Sequence, residues 1–333
     1  MKKTLIGIAV VAAALFASAE YINDAEFSYR APVTFPGYTI ADDTQANFPV
    51  LVRLTETEGG FSYANASADG SDIRFALADG TILASEVSLW DPNGESLVWV
   101  SVPTLAVGTE IYLYWGGSRS FPASQTDGSV WSAAGYFAVW HMDEDSTTTI
   151  AKDSAGGAME GTHVNTMPGQ SDAKVGRSVR ISNAGWNVAE NKGIRTAAYS
   201  DVGSEFVFTL WAKYPNQDVG NDRLGSHKTA YNATSGWEIS GKRYDANNLD
   251  FRGASETSAS AAASMKNMGW SHLAFVFEAN NKGTFYLNNS WKSSNGLTAA
   301  TDNDVVLVLG NEANLNGVSF KGWMDECAST GAA

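Results

Sequence analysis

Apolar and polar positions alternate with period two along most of this chain, and almost no stretch carries a helical stripe. Phe48, Val50, Val52 and Leu54 share one face of an expected strand, and Ile73, Phe75 and Leu77 share another. Asp79-Gly80 follows, a dipeptide suited to a tight hairpin because glycine accepts positive φ, and Ile82 to Leu89 reads as the returning strand. Leu97 to Val100 and Ile111 to Trp115 supply two more strands, while Pro49, Pro92 and Pro103 fall where a missing donor does little harm. Together these segments predict a small all-β sandwich.

The pattern resumes further on. Phe206 to Trp211 reads as one strand, Trp270 to Glu278 and Gly283 to Leu287 as a hairpin across residues 279–282, and Val305 to Leu309 and Phe320 to Met324 as late strands. Roughly 200 residues of short strands with long polar connections fit a two-sheet jelly roll. Ala259 to Met268 is the one candidate for a short helix, an alanine-rich loop being the alternative.

Charge divides the chain at the same place. Residues 20–120 hold 14 acids, four arginines and no lysine, and the glycine- and serine-rich stretch near Gly116 to Gly128 follows. The expected organisation is a signal peptide at 1–19, a sandwich at 20–120, a linker at 121–135 and a jelly roll at 136–333. Lys2 and Lys3, the apolar run Leu5 to Phe16 and Ala17-Ser18-Ala19 form the signal pattern, so the chain is expected to be secreted, to the periplasm, the cell surface or beyond. The apolar run is too short for a membrane anchor, and no later segment reads as transmembrane. A net charge of −14 argues against nucleic acid as a partner. The single cysteine, Cys327, leaves no intrachain disulfide, and it reads as a small apolar residue near a strand end.

Two family resemblances sit on these motifs. Asn47 to Leu54, Asp69 to Phe75, Trp90-Asp91, Val98 to Val100 with Pro103, and Ile111 to Gly116 resemble a bacterial domain of unknown function found in envelope proteins ahead of laminin-G-like modules. Val139 to Met142, Asp153 to Gly156, Gly176 to Val179, Gly269 to Ala274, Tyr286 to Asn288 and Gly322 to Glu326 resemble a laminin-G-like, concanavalin-A-like jelly roll. That resemblance implies an apolar strand after Asp325-Glu326, whereas Cys327 to Ala333 is short and polar, so a truncated last strand is expected.

Jelly rolls of this kind include glycoside hydrolases, which need two carboxyls converging on one bond. No alternating acidic run exists, and in a regular strand the adjacent acids Asp143-Glu144-Asp145 and Asp325-Glu326 point to opposite faces. No nucleophile elbow, zinc-type histidine spacing or phosphate loop is present, and His141, His163, His227 and His272 are scattered. The expectation is therefore a non-enzyme. The resemblance also suggests calcium, with Asp325, Asp143 and Asp153 as ligands; the alternative is that these carboxylates satisfy backbone donors at turns. A glycan rim needs aromatic platforms, for which Trp186, Tyr231, Trp237, Tyr244 and Trp291 are candidates, centred on residues 227–252. The reading is a surface or extracellular protein that binds polysaccharide or an envelope protein. A structural spacer and a divergent glycoside hydrolase stand as alternatives.

Overall fold

The alternating segments form two stacked β-structures. The structure, a computed structural model, describes residues 21–333 apart from 119–124, 126, 182–189, 200–204, 216–221, 230–232, 234–235, 242–248, 254–257, 262–264, 279–281, 297–304, 313, 316 and 332–333. The expected signal segment and the tip of the 279–282 hairpin fall outside the described residues.

Six strands build the first sandwich: β1 (Tyr29–Thr34), β2 (Gln45–Leu54), β3 (Arg74–Ala76), β4 (Ser85–Leu89), β5 (Ser96–Leu105) and β6 (Glu110–Trp115). They form two three-stranded sheets, β1–β6–β3 and β2–β5–β4. Val50, Val52 and Leu54 meet Phe75, Val98, Val100, Leu113 and Trp115 in one core, as period two requires. Phe48 keeps its register position opposite Val102 but is 40% exposed. The Asp79-Gly80 turn forms, with Gly80 at φ 88° and Ala76 bridged to Ile82. The returning chain then leaves its partner: β4 pairs with β5 in the opposite sheet, Ser85 facing Val100. Alternation specifies which residues turn inward but not which sheet a strand joins.

After a four-residue helix, α1 (Ser129–Ser132), the second sandwich opens with β7 (Tyr136–Trp140), β8 (Ile150–Ala151), β9 (Gly161–Val164), β10 (Met167–Gln170), β11 (Ser178–Ile181) and β12 (Gly193–Tyr199). It continues with β13 (Phe206–Tyr214), β14 (Arg223–His227), β15 (Trp237–Gly241), β16 (Leu249–Arg252) and β17 (Ser258–Ala261). It closes with β18 (Met268–Glu278), β19 (Lys282–Leu287), β20 (Ser290–Gly296), β21 (Val305–Leu309) and β22 (Gly322–Gly331). One sheet runs β10–β11–β22–β13–β18–β19–β20 with β7 on β22, and the other runs β17–β16–β15–β14–β21–β12–β9–β8. This is a two-sheet, all-β jelly roll, with Phe208, Leu210, Ile239, Leu249, Phe275 and Leu307 among the core side chains between the layers.

Two expectations are corrected here. Ser258–Ala261, which overlaps the start of the alanine-rich stretch, is strand β17, because pairing to β16 outweighs the weak helical preference of a short segment. The last strand is not cut short at Asp325-Glu326: β22 runs to Gly331 and pairs with both β13 and β7.

Candidate functional site

The two sandwiches meet along side chains that alternation turns away from their own cores. In β5, Val98 and Val100 point inward, so Trp99 points outward, and Glu86 of β4 lies directly across from it. Trp99 and Ala84 pack against Val130, Trp131, Val139 and Ala328 of the second unit. Trp131 meets Trp99 edge-on with centroids 5.0 Å apart, and the His141 ring stacks on Trp99 at 5.6 Å.

Glu86, 5% exposed, ties this junction together. It accepts hydrogen bonds from Trp131 Nε1 (2.8 Å), Ser154 Oγ (2.7 Å) and Lys152 Nζ (2.8 Å). Burial alone would push its pKa up, but His141 and Lys152 outweigh burial and hold it at about 2. His141 lies between carboxylates of both units, Nδ1 2.8 Å from Glu326 and Nε2 3.9 Å from Glu86. Burial opposes its charge, yet these two carboxylates raise its pKa well above the ordinary histidine value.

The acidic pair on β22 departs from a regular strand. Met324 and Cys327 both enter the core, while Thr209 and Trp211 of β13 face Ala328 and Asp325, one residue out of step. Glu326, at φ 46°, is the extra residue of this β-bulge. Asp325 and Glu326 therefore share the outer face instead of pointing apart. Asp325 Oδ2 accepts the backbone N–H groups of Lys174 (2.7 Å) and Val175 (2.8 Å), and burial together with Glu326 lifts its pKa to about 8.

Beside this cluster lies a cleft of about 410 Å³ between the sandwiches. Phe48, Leu51 and Trp99 wall it from the first unit, Trp131 and Tyr136 from the junction, and Trp211, His272 and Glu326 from the outer face of the second. Among the described residues, Glu326 is the one carboxylate residue of the lining. A concave, mostly apolar wall with several aromatic side chains and few polar groups is the ordinary form of a small-ligand site.

The expected site residues scatter. Asp153 directs one carboxylate oxygen to the N–H groups of Val139 and Ala155 and the other to that of Met159, which pins the end of β7. Asp143 accepts from Ser88 Oγ at 2.5 Å. With Asp325 turned to Lys174 and Val175, the three do not form one oxygen cage, and no group of three or more His, Cys, Asp or Glu is placed to hold a metal among the described residues. The turn-satisfying alternative describes Asp153 and Asp325. Trp237 is corrected too: it is 1% exposed and stacks on Phe206 at 5.2 Å, since W-E-I-S-G alternates with Trp237 and Ile239 on the core side. Trp186, Tyr231 and Tyr244 lie outside the described residues, and Trp291 is placed only as part of β20.

Sequence reasoning missed Trp99, Trp131, Trp211 and Glu326, whose signal was weak, because the wall comes from two units. It also missed an ion network on the face of β14, β15 and β16 turned away from the core. Arg223 reaches Glu238 (3.2 Å) and Glu312 (3.1 Å), and Arg252 reaches Glu238 (3.6 Å) and Asp250 (3.4 Å). The alternation of Glu238 with Ser240, and of Asp250 with Arg252, was its signal. These groups are largely buried and paired, and they join adjacent strands.

Comparison with known proteins agrees with this architecture. Residues 69–154 match a domain of unknown function (DUF2341), and residues 189–330 match the Concanavalin A-like lectin/glucanases superfamily. No curated protein matches the chain. Among solved structures, domain 4 of an extracellular arabinanase from Geobacillus stearothermophilus, in complex with arabinotriose, is similar at 19% identity and TM-score 0.44, over 60% of this chain and 93% of that one. The binding domain of Paraclostridial Mosquitocidal Protein 1 is similar at 17% identity and TM-score 0.39, and that of botulinum neurotoxin serotype D at 13% and 0.40. This chain spans about half of each, 49% and 48%.

Proposed function

We propose that this protein is an exported, non-catalytic carbohydrate-binding protein whose ligand seats in the cleft between its two sandwiches. The observation that carries the reading is the cleft wall itself: the aromatic side chains of Phe48, Tyr136 and Trp211 line it, and His272 sets a polar ring beside them. Sugars present apolar C–H faces and hydroxyls together, which such a wall complements. A single lining carboxylate supports binding over cleavage, because hydrolysis by the usual route takes two. The superfamily matched by residues 189–330 supports a carbohydrate ligand by its description. Export rests on the leader pattern of residues 1–19.

Glycan-array screening of the purified chain, beside its Trp211→Ala variant, tests this. Binding to a defined glycan class that is lost in the variant supports the reading; no binding to any glycan refutes it. A second reading, a spacer within an envelope assembly, is favoured by one observation: part of the outer sheet face is covered by the first sandwich through Trp99, Val139 and Ala328. It predicts an empty array.

A further inference from the structure

We propose that the polysaccharide is acidic, and that it runs from the cleft onto a row of alternating cations and tryptophans on the outer face of the second sandwich. This rests on the glycan reading above and deepens it. Arg180 on β11 sits directly across from Trp323 on β22, and Trp323 directly across from Lys213 on β13. The Arg180 guanidinium lies 4.9 Å and the Lys213 ammonium 5.2 Å from the Trp323 ring centre. Trp270 on β18 completes the row, since its Nε1 donates to Asp172 (3.0 Å) and the same carboxylate accepts from Lys213 Nζ (2.5 Å). Four neighbouring strands at ~4.8 Å spacing make the row ~14 Å long. Two residues back along β13 is Trp211, a wall of the cleft, with the Lys174 ammonium 4.6 Å from its ring centre. Cleft and row are thus continuous.

The charge along this row is opposite in sign to that of the whole chain. Lys174 and Arg180 are exposed and carry no ion pair among the described residues, and only Lys213 is matched, by Asp172. The acids nearest the cleft are withdrawn: Asp325 is buried against the N–H groups of Lys174 and Val175, and Glu326 against His141. In a chain with 36 acids and 22 basic residues, free cations gather here beside a cleft. Resting each cation on an indole face restricts its motion, which lowers the ordering cost of meeting an anionic ligand. Pairing for stability alone accounts for each cation–ring contact, at about 0.5–1 kcal/mol apiece when exposed. It does not account for unneutralised charge lined up with the cleft.

Titration calorimetry of the full chain with polygalacturonate and with heparin, against methyl-esterified pectin and dextran as neutral polymers, decides the matter. We expect an acidic polymer to bind about tenfold tighter than either neutral one. That affinity falls as NaCl rises from about 50 mM to about 500 mM. The Lys174→Gln, Arg180→Gln double variant loses the preference, while Arg180→Lys, which keeps the charge, retains it and so guards against a folding artefact. Equal affinity for acidic and neutral polymers overturns the charge inference and leaves the glycan reading standing. Equal affinity for single-stranded DNA overturns it as well. Failure of all four polymers together with an empty glycan array overturns both.

Discussion

Replacing Glu86 by Gln removes one charge from the junction while keeping the shape of the side chain, and the cost should depend on pH in a defined way. The folded-state pKa of about 2 lies some 2.5 units below the ordinary 4.5, although burial acts in the opposite direction. At 1.36 kcal/mol per unit, the Glu86 charge contributes about 3 kcal/mol at neutral pH. The shift is downward, so this stability is present above pH 4.5 and is lost as pH falls from there toward 2. Urea unfolding of wild type and Glu86→Gln across that range should give a difference of about 3 kcal/mol at pH 7, shrinking below pH 4.5 and vanishing near pH 2. The magnitude agrees with the general cost of breaking a buried ion pair, about 3–5 kcal/mol. A difference of the same size at pH 7 and pH 2 would show that the cost is steric and that His141 and Lys152 do not hold this carboxylate. A negligible difference at pH 7 would refute the junction as an ion-paired contact.

Asp325→Asn should stabilise the protein near neutrality: the folded pKa of about 8 makes the wild-type carboxyl increasingly costly as pH rises from 3.8, by up to about 1.4 kcal/mol per unit. A variant less stable than wild type at pH 7 in urea melts contradicts this. His141, whose pKa is raised by Glu326 and Glu86 against the effect of burial, contributes stability that is full below about pH 6.5 and lost as pH rises through its folded value; His141→Gln should therefore lack that alkaline loss in the same titration. Asp153→Ala leaves the N–H groups of Val139, Ala155 and Met159 without their acceptor and should cost about 1–3 kcal/mol for each one left dry. Thermal melts of wild type in EDTA and in Ca²⁺ test the calcium expectation: a shift of several degrees supports it, and identical curves remove it.

The architecture was largely legible because burial imposes period two. The run Phe206 to Tyr214 alternates core and outer face without a break, and Trp270 to Glu278 follows the same rule. What period two cannot express is the insertion of one residue. Met324 and Cys327 are three apart and both buried, a spacing that a regular strand forbids and a bulge permits, so the common face of Asp325 and Glu326 was hidden in a pattern read as regular. Trp237 shows the reverse case, where polar neighbours suggested a rim although its own alternation with Ile239 placed it in the core. The cleft was beyond reach for a different reason. Trp99 and Trp211 are 112 positions apart on separate sandwiches, and nothing local announces that their outward faces meet.

The way Glu86 fastens Trp131, Ser154 and Lys152 also bears on how this molecule can be dissected in the laboratory. A fragment beginning at residue 136 would keep β7 and β22 paired but would expose Val139 and Ala328 and strand His141 with one counter-ion in place of two. Shortening the gene at the apparent seam would thus yield a stickier, acid-and-base-sensitive remnant, whereas cutting before Tyr29 leaves every contact of the seam in place.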